Sequence, residues 1–278
     1  GNRMTRLVRA LSALVCTSAF LLAGAAAHAQ GGKTELLWLG QSAFKITTPK
    51  GKVIVIDPYL TKNPKTPEKY KDLSALGHVD LIMVTHGHFD HTLDMPALAK
   101  LTGAPVVINA DMGTTYATLG LVPAKQMVRM NKSGSVQPLG PDITITMVHA
   151  EHSSEVVYTD PETKKQSVHP GGEPAGYIIK LENGFTIYHA GDTGVFGDMK
   201  FIGEYYKPDL ALLPIGGWFT MDPVHAAYAT RLLKPKQVIP MHYGTFPVLK
   251  GTPEEYKKAL GKTHTKVHVM QPGDTLKF

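Results

Sequence analysis

The sequence of 278 residues is 43% hydrophobic, 19% charged and 8% aromatic, with 27 glycines and 20 prolines. This excludes collagen, coiled coil and wholesale disorder, and it leaves room for one large globular domain or two small ones. The formal charge of +6 is unevenly placed: Arg3, Arg6 and Arg9 supply half of it, while elsewhere lysines alternate with acids, so the pattern predicts a solvated surface and no nucleic-acid partner.

In chain order, the three arginines precede an apolar run over residues 11–27 that ends in Ala27-His28-Ala29. This is the pattern of a secretory signal peptide over 1–29, with 1–3 an upstream remnant ahead of Met4 and cleavage beside Gln30. Ser12, Thr17, Ser18 and Gly24 thin the run, which argues against a bilayer span. The expected product is a single domain over 30–278, secreted or periplasmic, with no stable membrane anchor after cleavage. Cys16, the one cysteine, lies inside the apolar run, so the mature chain has no thiol. Disulfides, thiol catalysis and cysteine-ligated zinc are thereby excluded, and any metal must be held by histidines and carboxylates.

Short β-branched runs predict strands over 35–39, 43–47, 52–56, 80–85, 105–109, 143–148, 177–181, 185–188, 210–213, 237–239 and 266–270. Helical periodicity is present over 93–101, 198–206, 223–233 and 253–260. The first three strands follow one another through glycine-containing turns, and later ones are separated by helices, which predicts mixed sheets with helices outside. The polar interval 153–175 reads as a long loop within the domain, of the length used for lids and binding elements. Met127, Met130 and Met147 read as core residues.

The strand over 80–85 runs directly into His86-Gly87-His88-Phe89-Asp90-His91. Three imidazoles and a carboxylate within six residues at the end of an apolar strand are too costly to desolvate without a cation. Further candidate ligands also follow strands: His149 and His152, His189 and Asp192, and His242. Loops gathered at a common sheet edge would bring them to one site, and the spacing alone allows either His149 or His152 as the ligand.

His-x-His-x-Asp-His at 86–91, with the later His, Asp and His in order, resembles the metallo-β-lactamase superfamily. Gly40-Gln-Ser-Ala-Phe44, Ile56-Asp-Pro-Tyr-Leu60, His189-Ala-Gly-Asp-Thr193, Leu213-Pro-Ile-Gly216, Phe219-Thr-Met221 and Pro240-Met-His-Tyr-Gly-Thr-Phe-Pro247 are most similar to metal-dependent hydrolases related to ascorbate-6-phosphate lactonase. The resemblance covers about 34–278 and implies an αβ/βα four-layer sandwich, two mixed sheets with helices outside. It further implies that His86, His88 and His152 hold one metal, that Asp90, His91 and His242 hold a second, and that Asp192 bridges them. Asp57 would orient a ligand from behind, and His149 would sit behind the site or in its pocket. Gln41 stands where relatives often have His, and Gly217 and His225 replace residues that are more often polar or acidic.

The resemblance implies two divalent ions, Zn²⁺ foremost with Mn²⁺ or Fe²⁺ as alternatives. Asp90 and Asp192 would be catalytic, a metal-bound hydroxide attacking an ester, lactone or amide bond of a small molecule. A phosphodiesterase, with Lys62, Lys65 and Lys164 as candidate phosphate contacts, and a non-hydrolytic metal-binding or di-iron oxidoreductase protein are the alternatives. Trp218 and Phe219 are candidates to line the pocket, and Tyr243 to donate a hydrogen bond to the substrate. The sequence leaves the oligomeric state open.

Overall fold

A computed structural model describes residues 33–278, and the expected signal peptide lies outside the described residues. β1 (Glu35–Trp38), β2 (Phe44–Thr47) and β3 (Val53–Ile56) are antiparallel neighbours joined by short turns. β4 (Leu81–Met83), β5 (Val106–Asn109) and β6 (Met127–Met130) extend the sheet in parallel. In the second half, β7 (Ser135–Val136) and β8 (Thr144–His149) pair antiparallel, and a separate ribbon is formed by β9 (Glu155–Thr159) and β10 (Gln166–Pro170). β11 (Ala175–Lys180) and β12 (Thr186–His189) continue the second sheet antiparallel. β13 (Leu210–Pro214), β14 (Gln237–Met241) and β15 (Lys266–Val267) complete it in parallel. β16 (Thr275–Lys277) returns to the first sheet beside β1, so the sheet orders are β16-β1-β2-β3-β4-β5-β6 and β15-β14-β13-β12-β11-β8-β7.

Period-two alternation separates the layers. Leu36, Ile54 and Ile56 face the second sheet and meet Ile145, Tyr177 and Leu212 in a central core. Their neighbours Leu37 and Val55 face outward onto α2 (Met95–Thr102) and α3 (Ala110–Thr118). On the other side Ala211 and Val238 pack against α4 (Met199–Tyr206), α5 (Pro223–Leu233) and α6 (Pro253–Leu260). Three cores between four layers are the expected αβ/βα sandwich. Burying a Leu or Ile side chain completely stabilises the fold by about 1.5–3 kcal/mol.

Several elements depart from the sequence expectation for local reasons. The four-residue helix α1 (Phe89–Thr92) precedes α2, and the expected helix over 93–101 begins at Met95. Asp94 interrupts the two because its carboxylate is used elsewhere, accepting from the Leu60 and Thr61 N–H groups at 2.6 and 2.9 Å, and Pro96 then opens the next helix. α3 has weak intrinsic propensity, with Gly113 and three threonines in nine residues; Asn109 starts it by accepting from the Asp111 N–H at 3.0 Å. The interval 153–175 is largely the β9–β10 ribbon, where cross-strand pairing replaces the burial that marks most strands. Met127, Met130 and Met147 are buried as expected.

Candidate metal centre

β4 stops at Met83, and its continuation through Thr85 delivers His86 to the sheet edge, where Gly87 turns the chain. A side chain at Gly87 is excluded, since a Cβ there would lie 2.7 Å from the Glu155 carbonyl oxygen. The Gly87 N–H donates to Ser154 Oγ at 3.0 Å, and that hydroxyl donates to the Gly171 carbonyl at 2.9 Å. The ribbon is thereby pinned against the histidine loop. α1 then places Asp90 and His91 on its single turn.

Two groups of possible ligand atoms result, each within 4.8 Å of one another: His86, His88, His152 and Asp192, and Asp90, His91, His242 and Asp192. Asp192 is common to both. Its Oδ2 lies 3.5 Å from His86 Nε2, 3.5 Å from His152 Nε2 and 3.1 Å from His91 Nε2, and its Oδ1 lies 3.2 Å from His242 Nε2.

The hydrogen bonds behind the cluster set which ring nitrogens face it. Asp57 is fully buried; its Oδ1 accepts from the Thr85 N–H at 2.8 Å and its Oδ2 from the Thr85 hydroxyl at 2.7 Å. Having donated its only proton to Asp57, Thr85 Oγ1 must accept from His86 Nδ1, 2.9 Å away. His91 Nδ1 donates to Asp57 Oδ2 at 2.7 Å. One carboxylate thus fixes two rings with Nε2 turned inward. Those two Nε2 atoms are buried without a hydrogen-bond partner, as is Asp192 Oδ1. Unpartnered inward-facing nitrogen and oxygen donors fit a bound divalent cation, and the cluster is able to bind metal.

The electrostatics divide the cluster. Burial and the neighbouring His86 and His152 press His88 down to about 4; burial likewise brings His152 to about 4 despite Asp192. Both are neutral at pH 7, the form that binds metal. Burial also opposes charge on His242, but Asp192 and Asp90 outweigh it and raise the group to about 9. His91 is raised well above its ordinary value, burial being overcome by Asp192, Asp90 and Asp57. Asp192 and Asp90 are held well below the usual carboxylate range, burial being overcome chiefly by His242 and His91 for the former and by His91 and His242 for the latter.

Gln41 belongs to the same network. Its Nε2 donates to Asp90 Oδ2 at 2.8 Å and lies 3.0 Å from His242 Nε2; Thr245 Oγ1 donates to its Oε1, and the His242 N–H donates to its backbone carbonyl at 3.0 Å. Gln41, Asp57 and His242 have φ of 49°, 50° and 58°. Left-handed backbone costs a non-glycine residue roughly 1–2 kcal/mol, so the surrounding hydrogen bonds hold all three in place against that cost.

Other candidates fall outside the cluster. His149 does not reach the ligands or the cavity above them: its exposed ring lies 3.3 Å from Glu151 and edge-on to Phe196. β8 runs through residue 149, one residue past the expected end, and the ring there packs on Phe196 instead of entering the cluster. Trp218 is 78% exposed and does not line the cavity; its neighbour Phe219 does. Tyr243 packs its ring against Trp38, and its hydroxyl donates to the Met270 carbonyl at 3.4 Å, so it is a core residue and makes no contribution to the cavity wall. His189 is a satisfied core histidine, accepting from the Gly191 N–H and donating to the Ser42 carbonyl. Lys62, Lys65 and Lys164 do not line the cavity. Sequence reading missed Thr85, for which the only signal was its place between a strand and the first ligand.

Residues 52–243 match the beta-lactamase superfamily domain. A UPF0173 metal-dependent hydrolase of Polaromonas sp. is 57% identical over 276 residues, covering 99% of this chain and 100% of that one. One of Cupriavidus necator is 59% identical over 250 residues, covering 89% of this chain and 86% of that one. Among solved structures, Igni18, a metallo hydrolase from the hyperthermophilic archaeon Ignicoccus hospitalis, superposes with a TM-score of 0.75 at 36% identity, covering 88% of this chain and 98% of that one. Fold and cluster are those of a metal-dependent hydrolase. The chain belongs to the beta-lactamase superfamily, with UPF0173 metal-dependent hydrolases as full-length relatives.

Proposed function

We propose that the protein is an exported hydrolase that cleaves an ester, lactone or amide-type bond of a small molecule, with two divalent cations at its centre. The observation that carries this reading is the pair of ligand groups sharing Asp192, with unpartnered nitrogens turned into the space between them. His86, His88 and His152 would hold one cation, Asp90, His91 and His242 the other, and Asp192 both. When bound, the ions, which the all-nitrogen-and-oxygen donor set suits to Zn²⁺ and also to Mn²⁺ or Fe²⁺, supply water activation at neutral pH and Lewis-acid stabilisation of developing negative charge.

The protein's own groups orient and protect that chemistry. Asp57 and Thr85 hold the His86 and His91 rings with Nε2 inward. Gln41 fixes Asp90 by donating to its Oδ2. Asp90 lines the cavity, and we assign its carboxylate to help hold the second cation and to accept a hydrogen bond from the water that would attack. The apolar wall beyond lowers the local polarity, which strengthens each electrostatic contact inside.

The test combines metal analysis with a panel of esters, lactones, amides, β-lactams and phosphodiesters. About two metal equivalents and chelator-sensitive turnover of an ester, lactone or amide are expected. Faster turnover of a phosphodiester than of every carbonyl substrate would overturn the bond assignment. For export, the secreted product should begin beside Gln30; a product retaining Met4 would refute cleavage.

A further inference from the structure

The cavity over the ligand cluster measures about 770 Å³, within the range of small-molecule sites. One end is formed by the ligands. The other is an arm between α2, α3 and the ribbon, walled by Leu93, Pro96, Tyr116, Leu121, Val156 and Tyr158. Tyr116 and Val156 belong to the same buried core as Leu98 and Met112, so the floor of the arm is the hydrophobic layer beneath the helices. Thr92, which also lines the cavity, has its hydroxyl proton committed to the His88 carbonyl at 3.0 Å.

Charge along the cavity is one-sided. Among the described residues no lysine or arginine lines it; the charged side chains there, histidines aside, are Asp90, Asp192 and Glu155. A carboxylate or phosphate carried away from the scissile bond would enter the arm without a counter-ion and with an acid nearby, which is costly. At the opening, Phe89 and Phe219 are 58% and 60% exposed, and Phe246 stands 6.3 Å from Phe89 between ring centres. Exposed aromatic side chains around a concave apolar site mark it as a place for apolar ligands.

Resting on the carbonyl-hydrolase reading above, we infer that the substrate is uncharged and that its acyl portion is an extended apolar chain, seated in the arm walled by Leu93, Tyr116, Leu121 and Val156. The ligand end receives the ester, lactone or amide carbonyl, and chain length sets specificity through area buried in the arm. Each methylene accommodated there raises kcat/KM by up to about 4-fold.

Two measurements test this. The first follows metal-loaded protein on p-nitrophenyl esters from acetyl to octanoyl, together with an octanoyl ester bearing a terminal carboxylate. The second, independent of turnover, follows displacement of the neutral fluorophore N-phenyl-1-naphthylamine by methyl octanoate from metal-free protein. Rising kcat/KM along the series, a loss of at least 10-fold for the carboxylate-bearing ester, and displacement by methyl octanoate but not by methyl acetate are expected. Leu121→Lys, a half-buried position, should flatten the chain-length dependence and narrow the carboxylate penalty; Leu93→Lys repeats the test at a more exposed position. Chain-length indifference with measurable ester cleavage, or preference for the charged ester, would overturn the inference and leave the hydrolase reading intact. Displacement by methyl octanoate without cleavage of any carbonyl substrate would support the arm and remove the bond assignment.

Discussion

Asp57 Oδ2 and His91 Nδ1 stand 2.7 Å apart, both side chains fully buried, and the same oxygen accepts from Thr85, whose hydroxyl in turn accepts from His86. The carboxylate touches no cavity surface, yet it sets the orientation of one ring in each ligand group. Asp57→Asn retains the volume but offers an amide hydrogen where an acceptor is needed. Metal affinity or turnover should fall about 10- to 100-fold. Metal titration alongside steady-state kinetics checks this, and an unchanged affinity with unchanged turnover would show that Asp57 serves only the fold.

His152 and His149 are three residues apart, but only His152 reaches Asp192. His152→Ala should strip most of the metal from the group containing His86 and His88 and abolish turnover. His149→Ala removes an exposed contact to Glu151 and should change metal content little and stability by about 0.5 kcal/mol or less. Metal analysis of the two variants decides, and the reverse pattern would refute the assignment.

Gly87 has no room for a methyl group against the Glu155 carbonyl. Gly87→Ala must push the ribbon or the histidine loop aside, at a cost of about 1–3 kcal/mol. Thermal unfolding should shift down by roughly 3–10 °C, with reduced metal affinity because His86 and His88 flank the displaced residue. A variant melting with the parent would show that the ribbon moves away at no cost.

In protein stripped of metal, the histidines of the two groups should affect stability in opposite directions. His242, raised to about 9, contributes fully below its unfolded value of about 6.5 and loses that contribution as pH rises through about 9. His88 and His152, lowered to about 4, contribute above 6.5 and lose it as pH falls through about 4. Melting temperature should therefore peak near neutral pH and drop on both sides. Calorimetry from pH 4 to 9.5 checks the shape, and a steady rise to pH 9.5 would contradict it.

Much of the fold was legible because its strands are short apolar runs punctuated by turns, and because the ligands follow strands that end at one edge of the sandwich. The His86 to His91 segment announced a metal chemistry by local density alone. Local sequence cannot show where a strand ends: β8 runs through His149, while His152 lies beyond it in the loop that reaches Asp192. Nor does it show the Asp57–Thr85–His86 relay, whose members come from two strand ends brought together by parallel pairing. The ribbon escaped the pattern because its strands are held by pairing with each other more than by burial. Composition and order of residues determined the class of chemistry; the packing of α2, α3 and the ribbon over the ligands decided the shape and polarity of the cavity, because those walls are assembled from residues distant in sequence.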